Sequence, residues 1–261
     1  MIRGIIDEIK MSGYPLEIRI TNVLKSYGWI VLNQECYVDY ETGKLRTIDI
    51  IATKRVDISK SSIFDRILIE LIIECKHSLE RHWVFFIGEK EREFKFPIMI
   101  VKNIGKPKKE ISYYDVNNIL ANSHYYKLQS PDNVAIVSHE TFKGEKKPST
   151  IFEATNQVLK ALIYQYTKSR KMISTNLSPS ILIIFYPIII FDGYMFKCRI
   201  EDNEPKIFET DYIQYIVNHR ALDNPFSTEC YLIEVMKDKF LPKYLQKIDE
   251  ELRILRKAIE K

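Results

Sequence analysis

Glycine is scarce in this chain, with eight among 261 residues, and its four cysteines, Cys36, Cys75, Cys198 and Cys230, stand far apart without a CxxC pair. That spacing suggests neither a zinc site nor the framework of a disulfide-stapled domain, so the expectation is a reduced, cytoplasmic protein. Long apolar runs are missing as well. The opening segment MIRGIIDEIKMSGYP lacks the apolar stretch of a signal peptide, and the run over 181–191 is short and interrupted by Pro187, so no membrane partner is expected. There is no glycine-rich phosphate loop, GxSxG elbow or HExxH helix, which argues against a nucleotide-driven motor, an α/β-hydrolase and a zinc protease. No aromatic run matches the ribonucleoprotein pattern. Charge of one sign is hardly in excess: 39 basic against 35 acidic residues leave +4, which permits a polyanionic partner without demanding one.

What is present is a chain that is 46% hydrophobic, enough for a substantial core. SGYPLEIRITNVLKSYGW reads as a helix, with Ser12 a candidate N-cap, Pro15 in the first turn and Gly28 past the end. Leu16, Ile20, Val23, Leu24 and Tyr27 give it a buried face, and Glu17 sits at the edge of that stripe. WIVLNQECYVDY and LRTIDIIATKR, joined through ETGK, read as a hairpin, with Asp49 interrupting the second strand. RILIELIIECKH follows as a third strand. Its odd positions, Ile67 to Cys75, are all apolar and its even ones mixed, so one face belongs to the core and Glu74 and Lys76 point the same way.

From His77 to about Asn133 the pattern weakens. Residues 81–132 read as an insertion, with a short helix near 116–123 and Trp83 in packing of the insertion's own. NVAIVSH is then a strand, and STIFEATNQVLKALIYQYTKSRK an amphipathic helix with Phe152, Val158, Leu159, Leu162 and Ile163 inside. ILIIFYPIIIFDG and YMFKCRI read as two strands joined by a turn at Asp192 and Gly193. YIQYIVNH, CYLIEVM and a final helix from Phe240 to Ile259 complete an α/β chain, residues 1–261 forming one elaborated domain around a mixed sheet flanked by helices.

Glu-x-Lys occurs five times, at Glu8, Glu74, Glu93, Glu145 and Glu204. Only the instance at Glu74 closes a long alternating apolar run, and only it follows a hairpin whose second strand carries an acid. An ionised carboxylate at Asp49 is costly unless paired or metal-bound. Plainer roles exist for each residue: Glu17 favoured by the helix dipole, Asp49 paired with Arg46 or Lys54, and Glu74 with Lys76 as a surface ion pair.

Taken together, Glu17 on the opening helix, Asp49 in TIDIIA and Glu74-Cys75-Lys76 on the third strand resemble the PD-(D/E)xK nuclease superfamily, the restriction-endonuclease-like fold that includes Mrr-like enzymes and Holliday junction resolvases. The resemblance covers residues 12–80 by motif and the elements of 133–200 by order. The proline of the family's motif is absent, since Ile48 precedes Asp49. It implies a restriction-endonuclease-like core with elaborations, and a Mg- or Mn-dependent DNA endonuclease of restriction, defence or repair type acting as a homodimer. A junction resolvase, or a non-catalytic DNA-binding protein that keeps the fold, would share the pattern. Asp49, Glu74 and the backbone carbonyl of Cys75 would then hold the cation, with Glu17 completing the site and Lys76 orienting the attacking water. His77 reads as incidental, Glu70 as paired or at a sheet edge, Gln157 as a solvated or sheet-bonding amide, and the lysines of 102–109 and 143–147 as solvated charge.

Overall fold

The computed structural model describes residues 2–58, 64–78, 80–88, 98–101, 134–141, 149–173, 180–219 and 230–260, together with Asn118. The short helix expected near 116–123 and the lysine clusters of 102–109 and 143–147 lie outside the described residues, apart from Asn118.

Helices α1 (Ile2–Met11) and α2 (Tyr14–Ser26) precede three strands, β1 (Ile30–Val38), β2 (Leu45–Asp57) and β3 (Arg66–His77). Strands β4 (His82–Ile87), β5 (Ile98–Val101) and β6 (Val134–Thr141) lead to the long helix α3 (Thr150–Ile173). Then come β7 (Ile181–Asp192), β8 (Met195–Glu201), β9 (Glu204–Glu209), β10 (Tyr212–Asn218), β11 (Cys230–Met236) and the closing helix α4 (Leu241–Ile259). All eleven strands join one sheet, in the order β1-β2-β3-β7-β11-β10-β6-β4-β8-β9, with β5 also on β7.

The sheet is mixed. β1, β2 and β3 form an antiparallel meander, and β3 then pairs in parallel with β7 along its whole length, from Arg66↔Ile181 to His77↔Asp192. β7 is apolar at nearly every position and buried from Ile181 to Phe191, the pattern of a central strand covered on both faces. On its far edge β5 pairs Ile181 to Ile184 and β11 pairs Ile188 to Ile190, so Pro187, which has no N–H, falls in the gap between the two ladders.

Two cores cover the two faces. Leu16, Ile20 and Leu24 of α2 and Leu245, Ile248 and Leu252 of α4 pack on one side against Ile67, Ile69, Leu71 and Ile73 of β3. Val158, Leu159 and Leu162 of α3 pack on the other against Ile72, Phe185 and Ile189. The even face of β3 is therefore roofed by α3 rather than turned to solvent.

Several sequence expectations change. Ser12 does not cap α2: its hydroxyl donates to the Ile9 carbonyl at the end of α1, and α2 starts after Gly13 without a side-chain cap. Phe152 is 67% exposed, because the inward stripe of α3 begins at Ile151 and continues through Ala154 and Val158. Trp83 belongs to the main core, stacked on Phe191 with ring centroids 3.9 Å apart. The turn at Gly193 does not make a hairpin: β8 pairs with β4 and β9, not β7. A Cβ at Gly193 would stand 2.4 Å from the Ser78 carbonyl oxygen, so the chain leaves β7 hard against the end of β3, and a glycine is what that approach requires. Among the described residues no helix is long and apolar enough to cross a membrane.

Candidate functional site

The meander opens into a fork. β2 and β3 pair from Asp57↔Arg66 to Ile50↔Ile73 and then part. β2 continues to Leu45 with β1 alone, while β3 continues to His77 along β7. The Cys75 N–H would be left without a ladder partner on the side where β2 departs. It donates instead to Asp49 Oδ2 at 2.7 Å, so the aspartate side chain closes the fork where the backbone cannot.

Both outer strands break their alternation at this level. On β1, Val31 packs on the α2 side and Tyr37 on the α3 side although both are odd-numbered; on β2, Ile50 and Ile48, both even, also lie on opposite sides. The breaks coincide at Gln34 and Asp49, which face each other between the paired residues Asn33↔Ile50 and Glu35↔Ile48. Gln34 has φ 53°, a left-handed backbone unusual for a residue with a side chain. Its amide Nε2 donates to Glu17 Oε2 at 2.6 Å and to Asp49 Oδ1 at 3.3 Å.

Glu74 lies on the α3 side, 2% exposed. Its Oε1 accepts from Lys76 Nζ at 2.7 Å, and Lys76 also donates to Gln157 Oε1 of α3 at 2.9 Å. Its Oε2 is buried with no hydrogen-bond partner. Burial, reinforced by the neighbouring Asp49 charge and only partly offset by Lys76, pushes the Glu74 carboxyl up to about 8. Burial also raises Asp49, against the opposing pull of the Cys75 N–H, and raises Glu17, with Asp49 adding to the effect. The Cys75 thiol is buried and pushed up in the same acidic surroundings, which leaves it a packing group rather than a nucleophile.

The sequence-derived residues Glu17, Asp49, Glu74 and Lys76 thus meet at one fork, linked by shared partners and mutual charge. None of the plainer pairings for Asp49 forms: Arg46 bonds Asp39 at 3.1 Å and Lys54 bonds Asp249 at 2.6 Å. The Glu74–Lys76 pair is not a surface pair, since the carboxylate is almost wholly enclosed. Gln157 is not a solvated amide: it reaches the sheet through a side chain, as the second anchor of Lys76. Glu70 stands on the central strand β3, not at an edge, and burial raises its carboxyl to about 7. His77 shares Asp192 with Arg19, at 3.2 and 2.9 Å, on the strand-end side beside α2.

Gln34 escaped the sequence reading. Its signal was the polar triplet Asn33-Gln34-Glu35 in the middle of a strand, where alternation should have placed at least one core residue. Among the described residues no three His, Cys, Asp or Glu side chains are drawn together so as to hold a metal ion. The reason is visible at the fork: the Gln34 amide stands between Glu17 and Asp49, and the Lys76 ammonium occupies one oxygen of Glu74. The donor set is nevertheless all hard oxygen, and a buried carboxylate oxygen with nothing to bond suits a hard divalent cation. Compared with protein-family models, curated proteins and solved structures, the chain matches none of them.

Proposed function

We propose that the chain is a Mg- or Mn-dependent DNA endonuclease of the PD-(D/E)xK type, with its active site at the fork between β2 and β3. One observation carries this reading: Glu74, enclosed, raised to about 8 and carrying an oxygen with no partner, beside Asp49 from the neighbouring strand and Lys76 on its own. Glu70, on the same face of β3, also has a buried oxygen without a partner, but only Glu74 stands beside a second acid and a lysine, the company that a cation ligand keeps. The order α2-β1-β2-β3-α3-β7, with an antiparallel meander, a covering helix and a parallel return beside β3, supports a restriction-endonuclease-like core.

Asp49 and Glu74 would hold the cation, with the Cys75 carbonyl and Glu17 completing its surroundings. When bound, it would neutralise charge on the scissile phosphate and supply an activated water. The chain's own part is to hold Lys76 still. Anchored by Glu74 and by Gln157, its ammonium would stand where it can orient that water and offset the negative charge growing on the phosphate. DNA is the substrate class, and two copies of the chain would cut the two strands of a duplex.

The test is cleavage of supercoiled plasmid, linear duplex, four-way junction and single-stranded DNA with Mg²⁺ or Mn²⁺, comparing the natural chain with Lys76→Ala. Cation-dependent cleavage that Lys76→Ala reduces at least 10²-fold, the scale of a lost charge-stabilising group, is the expected result. No cleavage of any of the four by the natural protein refutes the reading.

A further inference from the structure

Gln34 has a backbone that its own residue type disfavours and a side chain placed where two acids meet. Asn33 Nδ2 donates to Thr21 Oγ1, and Gln34 reaches Glu17, so two successive residues of β1 touch the same helix, α2. Strand alternation forbids this, and the φ of 53° at Gln34 makes it possible by turning the side chain back toward α2. A left-handed backbone at a non-glycine residue is strained. Glycine would take this backbone freely, yet the position carries a long amide.

That amide does something a glycine could not. A primary amide nitrogen carries two hydrogens, so it can serve two carboxylates at once, and Gln34 Nε2 does so at 2.6 Å from Glu17 Oε2 and 3.3 Å from Asp49 Oδ1. The other Asp49 oxygen is committed to the Cys75 N–H, so Oδ1, which accepts only the longer Gln34 bond, is the one that could turn toward an ion. A cation held by Asp49 and Glu74, with Glu17 completing its surroundings, would call on the same Glu17 and Asp49 oxygens that the Gln34 amide now binds, so amide and ion would compete for them.

We propose that Gln34 is a built-in occupant of the cation locus, which closes the site by bridging Glu17 and Asp49 and is displaced when the divalent ion enters. This rests on reading the fork as a cation site and adds its regulation. The amide offers partial charge where the ion offers two full ones, and the strained backbone keeps the closed arrangement shallow, so ion entry drives the side chain out. The closed state holds Glu17 and Asp49 together through one amide while no ion is bound.

The experiment is Mn²⁺ binding, followed by the electron paramagnetic resonance of the free ion and by calorimetry, on the full chain and on Gln34→Gly, without DNA. Glycine suits the φ of 53°, so the variant should keep the fold, which circular dichroism and melting in chelator verify. Gln34→Asn, too short to bridge both acids, serves if the glycine variant fails to fold. Removing the competitor should tighten Mn²⁺ binding about tenfold, the scale of two charge-assisted hydrogen bonds net of their replacement. In parallel, Mg²⁺ titrated into ¹⁵N-glutamine-labelled protein should shift one side-chain NH₂ pair that is absent from Gln34→Gly. Equal or weaker Mn²⁺ binding in the variant, or an unmoved amide pair, overturns displacement while leaving the cation site standing. Absence of binding by both proteins overturns the cation reading along with it.

Discussion

Replacing Glu74 with glutamine should make this protein more stable at alkaline pH while abolishing the proposed cleavage. The side chain is 2% exposed, with one oxygen on Lys76 and the other unpaired, and its carboxyl is raised from 4.5 to about 8, first by burial and then by Asp49. The sign follows from proton binding. Below about pH 4.5 the carboxyl is protonated in both the folded and the unfolded chain. Between there and about pH 8 the unfolded chain releases the proton and the folded one retains it, so the group's contribution to stability falls as pH rises. Above pH 8 both are ionised and the full cost of a buried charge is present. The interval of roughly 3.5 pH units corresponds to on the order of 5 kcal/mol. Glutamine keeps the shape and still accepts from Lys76, but has nothing to ionise. Guanidinium unfolding with a chelator at pH 4.5, 7 and 9 should therefore give similar stabilities at the acid end and a variant that gains on the natural chain by several kcal/mol toward pH 9. The same variant should lose the stabilisation that Mn²⁺ would give on binding at the fork. Stability curves that run parallel across the whole pH range would refute the burial of this charge and with it the physical basis of the site.

Other changes separate the site from its surroundings. Glu70→Gln should also stabilise with rising pH, by about 3 kcal/mol between pH 4.5 and 8, since burial raises that carboxyl to about 7; cleavage should be unchanged, and a loss of cleavage would show Glu70 to be part of the site. Gly193→Ala pushes a methyl against the Ser78 carbonyl and the Phe191 ring, at 2.4 and 2.5 Å, and should cost roughly 2–4 kcal/mol by thermal unfolding; a neutral result would mean the ends of β3 and β7 can separate freely. Tyr37→Phe removes a buried hydroxyl with no partner, so it should be neutral or stabilising by up to about 1 kcal/mol, and a loss beyond that would reveal a hydrogen bond to the hydroxyl.

The parts of this fold that local pattern dictates were legible. Alternation along RILIELIIECKH locates β3 and puts Glu74 and Lys76 on one face, because β3 keeps unbroken strand geometry from Arg66 to His77. The stripe Leu16, Ile20, Leu24 locates α2 for the same reason. What alternation could not show is where a strand departs from it. β1 and β2 change faces at Gln34 and Asp49, so a period-two reading extrapolated across Asn33-Gln34-Glu35 misassigns one half of the strand, and with it the residue that joins Glu17 to Asp49. Pairing over long sequence distance was equally hidden. The turn at Gly193 looks like a hairpin turn, but Trp83 lies on Phe191 and its N–H donates to the Tyr194 carbonyl at 2.9 Å, so a strand 110 residues earlier captures β8. β9 carries only exposed side chains on the sheet's edge and offers no apolar periodicity to read.

The fork explains why chemistry and broken pattern fall at the same level. A sheet whose ladders are complete satisfies every backbone donor and leaves none for a carboxylate to accept from. When β2 parts from β3 beyond Ile50, the donor at Cys75 is exposed to a side chain, and an aspartate at that height both satisfies it and gains a fixed orientation. The same divergence lets α2 bring Glu17 in from one face while Glu74 and Lys76 stand under α3 on the other, so charges that a continuous sheet would insulate from one another share one opening. The proposed catalytic set is thus a consequence of where two antiparallel strands stop pairing. Mutations that re-zip β2 onto β3 past Ile50 should abolish the site without touching any of its residues.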